Sequence, residues 1–313
     1  MRSAHMPSVS GALDVSPPRM TTADLERRTA TALVYAVVVL AALFAPAPTF
    51  VVLVAILAVL GYFELRALFR YRSYQPWSVG VLFTLAFVIA HYATAFGSRN
   101  SAIGEWLDGN GLAMLTLAVV IAFGIVAILV FVAQAARGRS VPGLLGALFT
   151  LAGALYLGWG FGFMVDLWMA GPSATRGWLG TLPVWLLLAL VPTWVADSVA
   201  YLVGSRIGRR RIVPRISPGK TWEGTLAGFG AAAVAALLIA TSAGTSTSAA
   251  LLVAVLVGPV GFAGDLFESA IKRAAGAKDS GTLFPGHGGV LDRIDSLIFV
   301  APAVALVLRL TAS

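Results

Sequence analysis

The stretch Gly264-Asp265-Leu266-Phe267-Glu268-Ser269-Ala270-Ile271-Lys272-Arg273 spaces a carboxylate, a hydroxyl and an ammonium at i, i+4 and i+7. On a helix, Asp265, Ser269 and Lys272 then share one face. A carboxylate can hold Mg²⁺, and an ammonium can neutralise phosphate oxygens. Taken alone, the stretch equally fits an ordinary polar stripe at a helix end. Lys278-Asp279-Ser280-Gly281 follows, and then Pro285-Gly286-His287-Gly288-Gly289. Glycines around one histidine remove bulk and permit positive φ, so backbone N–H groups can approach an anion closely. His287 suits phosphate contact, proton transfer or simply holding the loop.

Asp292-Arg293-Ile294-Asp295-Ser296 opens the last apolar run. Asp265 and Asp292 come from different segments. Two carboxylates brought together from separate helices are costly unless a cation lies between them. Of Asp292 and Asp295, one is expected to cap the last helix beside Arg293 and the other to hold metal. Upstream, Ser217-Pro218-Gly219-Lys220-Thr221-Trp222-Glu223-Gly224 offers two hydroxyls and an ammonium around a turn that leads into a helix. Gly-Lys-Thr suggests a P-loop, but Pro214 stands where that motif needs glycine, and a membrane span rather than a strand precedes it. Asp197, with Tyr201 one turn on, lies just inside an apolar run, where an acid is a functional candidate by default. Glu64 is expected to pair with Arg66 or Arg70 and is given no role.

These residues must be positioned by elements built for lipid. Of 313 residues, 58% are hydrophobic and 12% charged, far below the charge of a soluble domain. The absence of cysteine excludes disulfides, thiolate nucleophiles and Cys-ligated metals. The apolar runs are long enough to cross a bilayer as helices. They predict an all-α polytopic membrane protein with about nine transmembrane helices: Thr31–Ala45, Thr49–Phe69, Trp77–Phe96, Leu112–Ala133, Val141–Met169, Leu182–Val203, Thr225–Ala243, Ala249–Gly264 and Ser296–Leu310. Residues 1–28 read as a cytoplasmic, disordered tail, 29–181 as an N-terminal transmembrane part and 182–313 as a C-terminal transmembrane catalytic region.

With the N-terminus in the cytoplasm, all of the 22 basic residues except Arg99, Arg176 and Arg309 fall on the inner side, as the positive-inside rule requires. The net charge of +8 therefore reports topology, and no nucleic-acid partner is expected. Half of the 14 acids (Asp197, Glu223, Asp265, Glu268, Asp279, Asp292 and Asp295) lie in or beside two inner loops, Gly204–Gly224 and Asp265–Asp295. A transporter would also flank its spans with charge, but would place charge at the membrane midplane in pseudo-repeated, broken spans.

The pattern Ser269-x-Ile-Lys-Arg, Lys278-Asp-x-Gly and Phe284-Pro-Gly-His-Gly-Gly-Val-x-Asp-Arg-Ile-Asp295 resembles the signature of the phosphatidate cytidylyltransferase family. Asp197-Ser-x-Ala-Tyr201 and Ser217-Pro-Gly-Lys-Thr-x-Glu-Gly224 resemble further motifs of that family. One position departs: Gly219 stands where the family commonly has a second lysine, which leaves Lys220 to carry that phosphate contact. The resemblance implies transfer of a cytidylyl group from CTP to phosphatidate, giving CDP-diacylglycerol and pyrophosphate. Asp265 and Asp292 match the metal carboxylates, expected to hold Mg²⁺ with or without a second cation. Asp265, Lys272 and Asp292 are the expected catalytic residues. Asp197, Ser217, Lys220, Thr221, Ser269, Arg273, Lys278, Asp279, His287, Gly288 and Arg293 are the expected substrate contacts. The expected setting is a multi-pass protein of the inner membrane with its site facing the cytoplasm, in contact with membrane lipids and open to forming a homodimer. A cytidylyltransferase for another lipid phosphate and a membrane transporter are the alternatives.

Overall fold

The computed structural model describes residues 34, 37–70, 72, 74–97, 111–170, 182–284 and 288–311. The helices are α1 (Ala47–Leu68), α2 (Gly80–Gly97), α3 (Gly111–Ala135), α4 (Ser140–Met169), α5 (Val184–Ile207), α6 (Trp222–Ser242), α7 (Thr247–Ala275), α8 (Leu291–Ile294) and α9 (Leu297–Thr311). Between α5 and α6, strands β1 (Arg211–Val213) and β2 (Ser217–Thr221) form an antiparallel hairpin. Among the described residues, seven helices are long and apolar enough to cross a membrane, and α2 is a shorter apolar helix. Together they occupy the second to ninth expected spans. The first expected span falls mostly outside the described residues, although residues 37–43 are helical. The expected tail also lies outside them.

The bundle is apolar inside, around residues such as Leu157, Phe161, Leu188 and Val253, and apolar on much of its outside as well. Leu117, Ile121, Ile128 and Leu129 of α3 point outward, as lipid-facing side chains do. Close helix approach comes from small residues. In α4, the buried Gly153, Gly158 and Gly162 let α1 and α2 pack against its backbone, and Gly146 admits Trp77 from the segment between those two helices. On α6, a side chain at Gly224 or Gly228 would strike the backbone carbonyls of Ala200 or Ala196 on α5. Pro192, Pro259 and Pro302 sit inside α5, α7 and α9. Transmembrane helices tolerate such breaks because neighbouring groups satisfy the freed carbonyls.

Two elements differ from the sequence expectation. The helix of the eighth expected span, α7, runs on past Gly264 to Ala275, so the first part of the expected Asp265–Asp295 loop is helix, the alternative that the i, i+4, i+7 spacing offered. Nothing in that stretch breaks a helix, and the stop comes at Gly276, which adopts φ +77° as a left-handed cap. The segment expected as a turn before the seventh span is instead the strand β2, paired Arg211 to Thr221 and Val213 to Ser217. Pro218 and Gly219, read as turn residues, sit in a two-stranded ribbon that has an edge free to accommodate them.

Candidate active site

Helix α5 contributes Asp197, strand β2 contributes Ser217, Lys220 and Thr221, α7 contributes Asp265, and the 291–296 segment contributes Asp292, Arg293 and Asp295 to one cavity of about 400 Å³. Much of its remaining wall is apolar or small, with Gly228, Phe229, Gly258, Gly261 and Phe262, and Thr193, Tyr201, Thr225 and Ser296 add hydroxyl-bearing side chains. Four elements thus converge on a single polar chamber among helices otherwise built for lipid. Gly264 allows this convergence, since a Cβ there would stand 2.7 Å from the Asp295 carbonyl oxygen, so α7 meets the start of α9 backbone to backbone.

Each of the two expected metal carboxylates carries a lysine. The Lys220 ammonium pairs with Asp265 Oδ2 and lies 4.7 Å from the Phe262 ring centre. Asp265 Oδ1 accepts a hydrogen bond from the Ser269 hydroxyl at 3.2 Å, as their spacing on one helix face predicts. Lys272 turns elsewhere. Its Nζ lies 2.6 Å from Asp292 Oδ1 and 2.6 Å from Glu268 Oε2, so it joins α7 to α8 instead of sharing a target with Asp265. Asp292 Oδ2 accepts hydrogen bonds from the Ser280 N–H at 2.8 Å, the Ser280 hydroxyl at 2.9 Å and the Gly289 N–H at 2.8 Å.

The loop around Gly288 forms a tight closure. The Phe284 N–H donates to the Gly288 carbonyl at 2.8 Å, and Gly288 adopts φ +82°, a left-handed conformation. A Cβ there would collide with Asp292 Oδ2. Gly288 is therefore required beside the carboxylate twice over, for conformation and for space. Asp295 Oδ1 accepts from the N–H of the next residue, Ser296, at 2.6 Å where α8 meets α9.

Some expected substrate contacts stand apart from the cavity. Arg273 donates through Nε to the Ile216 carbonyl and through Nη1 to the Ala277 carbonyl, both at 3.1 Å, tying the end of α7 to the hairpin. Lys278 and Asp279 are exposed and do not line the cavity. Thr221 lines it but also caps α6, its hydroxyl accepting from the Gly224 N–H at 3.3 Å. His287 lies outside the described residues. Arg293 lines the cavity with a buried Nε that has no hydrogen-bond partner among the described residues, which suits an anionic ligand.

Glu64 was misread from the sequence. Its Oε1 accepts from the Val290 N–H at 2.9 Å, and its Oε2 from the Leu291 N–H at 3.0 Å and the Ser280 hydroxyl at 3.1 Å. Arg66 Nε instead donates to the Pro76 carbonyl at 3.1 Å. A signal was present. Arg66 is two residues on, and positions two apart on a helix do not face each other. Glu64 instead borders the buried stripe of Ala58, Gly61, Tyr62 and Leu65, which faces the protein interior.

Among the described residues, the acidic groups that line the cavity are Asp197, Asp265, Asp292 and Asp295, all oxygen donors. Such ligands suit a hard cation such as Mg²⁺. Among the described residues, no three Asp, Glu or His side chains form a ready-made cage.

The family model for the cytidylyltransferase family matches residues 26–311. The chain belongs to the cytidylyltransferase family. It is 44% identical over 168 residues to YnbB, an uncharacterized protein of Escherichia coli K12, covering 52% of this chain and 55% of that protein. It is 44% identical over 131 residues to the phosphatidate cytidylyltransferase of Thermotoga maritima, covering 40% of this chain and 48% of that protein. It is also 44% identical over 126 residues to the phosphatidate cytidylyltransferase of Pseudomonas aeruginosa, covering 39% and 46%. The chain spans about half the length of the curated relatives it matches.

Proposed function

We propose that the protein transfers the cytidylyl group of CTP to phosphatidate, forming CDP-diacylglycerol and releasing pyrophosphate. The observation that carries this reading is the single cavity that gathers Asp197, Asp265, Asp292, Lys220 and Arg293 from three helices and a hairpin. Family membership and the relatives named phosphatidate cytidylyltransferase support it.

A phosphate oxygen of phosphatidate is already anionic and needs no strong base. It attacks the α-phosphorus of CTP, a new P–O bond forms, and the bond to the bridging oxygen breaks as pyrophosphate leaves. The barrier is the approach of two anions, so positioning and charge neutralisation supply most of the rate. Lys220 and Arg293 neutralise phosphate oxygens at the cavity, and Ser217 orients them. Lys272 holds Asp292 in place from the α7 side. Mg²⁺ held by Asp265 and Asp292 would neutralise and align the phosphates. Lys220 is paired with Asp265, so an arriving phosphate exchanges one anionic partner of this lysine for another. The lysine stays paired throughout, and the freed Asp265 carboxylate would be available to hold the metal.

We further place the protein in the inner membrane with the cavity facing the cytoplasm, on the strength of the basic-residue distribution. The acyl chains of the lipid substrate stay in the bilayer. Homodimer formation is a separate proposal, checked by crosslinking in native membranes.

The test uses protein purified in detergent with labelled CTP, Mg²⁺ and a panel of lipid phosphates. Formation of CDP-diacylglycerol from phosphatidate is expected. Product from another lipid phosphate but none from phosphatidate would replace the substrate. Absence of Mg²⁺-dependent CTP binding would overturn the reading altogether.

A further inference from the structure

We infer that Glu64, on the first described long helix, is the positioning residue that holds Ser280, Val290 and Leu291 and, through them, the Asp292 carboxylate. The inference rests on the proposed cytidylyl transfer for what Asp292 does, but not for how the loop is held. Glu64 stands 216 to 227 positions from its partners, so this is a tertiary contact and not a local turn. Both of its oxygens are used, Oε1 by Val290 and Oε2 by Leu291 and Ser280, at 2.9–3.1 Å. All of these partners are donors.

The loop is shaped around this carboxylate. A Cβ on Gly281 would stand 2.6 Å from Glu64 Oε1, and a Cβ on Gly289 would collide with both Glu64 oxygens. Neither glycine has positive φ, so backbone conformation does not account for them. Space for Glu64 does. The same loop also grips Asp292: the Ser280 and Gly289 N–H groups both donate to Asp292 Oδ2. Ser280 touches both carboxylates through one hydroxyl, which has a single proton to give. Asp292 Oδ2 already accepts two N–H bonds, and Lys272 lies on Oδ1. Holding Val290, Leu291 and Ser280 therefore fixes the frame in which Asp292 sits.

A carboxylate is the only side chain of this size that accepts on both sides. In Glu64→Gln, whichever way the amide turns, its NH₂ faces either the Val290 or the Leu291 N–H. Glutamine keeps the volume and loses the role. Aspartate keeps the charge with a shorter reach.

The experiment compares wild type, Glu64→Gln, Glu64→Asp and Glu64→Ala as full chains in detergent, by amide hydrogen exchange and by steady-state kinetics. Exchange across residues 280–292 should quicken by about tenfold or more in Glu64→Gln and Glu64→Ala, with α5 and α6 unchanged. The kcat should fall on the order of 10–100-fold with the KM for phosphatidate unchanged, because the fault lies at Asp292 and not at the lipid. Glu64→Asp should recover part of the loss and Glu64→Gln none. Gly289→Ala should damage the wild type yet add nothing to Glu64→Ala, where the colliding oxygens are gone. Unchanged exchange at 280–292 in Glu64→Gln, or a Gln variant with wild-type kcat, overturns the inference. A loosened loop in a protein whose wild type makes no CDP-diacylglycerol supports the hold on the loop and overturns the proposed reaction.

Discussion

Lys272 Nζ sits 2.6 Å from Asp292 Oδ1, across 20 positions of sequence, and the same ammonium lies 2.6 Å from Glu268 Oε2. One lysine thus answers two carboxylates where α7 meets α8. The side chains of Glu268 and Asp292 are 1% and 7% exposed, so this is a buried cluster with little water to substitute for the cation.

Removing Lys272 should therefore harm folding as well as catalysis. Lys272→Met leaves two buried carboxylates facing each other, a loss of about 3–5 kcal/mol. Thermal unfolding in detergent should show a clearly lowered Tm, and activity should be lost even below it. A Tm equal to wild type would mean the cluster is not the buried ion pair described.

Lys220 should behave differently. Its side chain and that of Asp265 are 20% and 22% exposed, so solvent screens the pair. Lys220→Met should change stability by only about 1 kcal/mol or less. Its main effect should be weaker CTP binding, seen as a raised KM for CTP in titrations at saturating phosphatidate. A large Tm loss with unchanged KM would reverse the roles assigned to the two lysines.

Asp265→Asn and Asp292→Asn should each reduce CDP-diacylglycerol formation by at least about 100-fold, since each removes a full charge from the proposed metal position. Chelation of divalent metal by EDTA should do the same to the wild type, with recovery on adding Mg²⁺. Size-exclusion profiles would establish that the variants are folded. Full activity in either variant would remove that residue from the proposed metal site.

Gly219 offers a gain. It lines the cavity on β2, and a Cβ there meets nothing within 4 Å. Gly219→Lys should fit without strain and lower the KM for CTP by about 2–10-fold, the range of a solvent-screened charge contact. No change in KM would show that the β2 edge does not face the nucleotide.

Gly288→Ala should fail for two reasons at once. The left-handed conformation costs alanine about 1–2 kcal/mol, and its methyl would push on Asp292 Oδ2. Activity should fall sharply while the bundle keeps its helical circular dichroism.

Much of this was legible in the sequence because the chemistry is carried by charged side chains in a chain that otherwise avoids charge. Asp197, Lys220, Asp265 and Asp292 stood out for that reason, and all four line the one cavity. Hydropathy misplaced the end of α7, because it equates charge with loop while an amphipathic continuation such as Asp265–Ala275 needs no lipid to be helical. The hairpin was hidden because Pro218 and Gly219 mark turns in most contexts, and pairing between Arg211 and Thr221 is set by tertiary position. Glu64 was hidden because an acid near two arginines has a ready local explanation. Its real partners are backbone N–H groups, which leave no trace in side-chain identity.

The separation of Glu64 from Val290, 226 positions, also governs when this protein can come into being. Helix α1 is synthesised and buried in lipid long before the segment it grips leaves the ribosome. The contact that anchors the Asp292 segment therefore cannot form until residues 280–291 have been synthesised. A fragment that ends before residue 280 would leave Glu64 without these three partners.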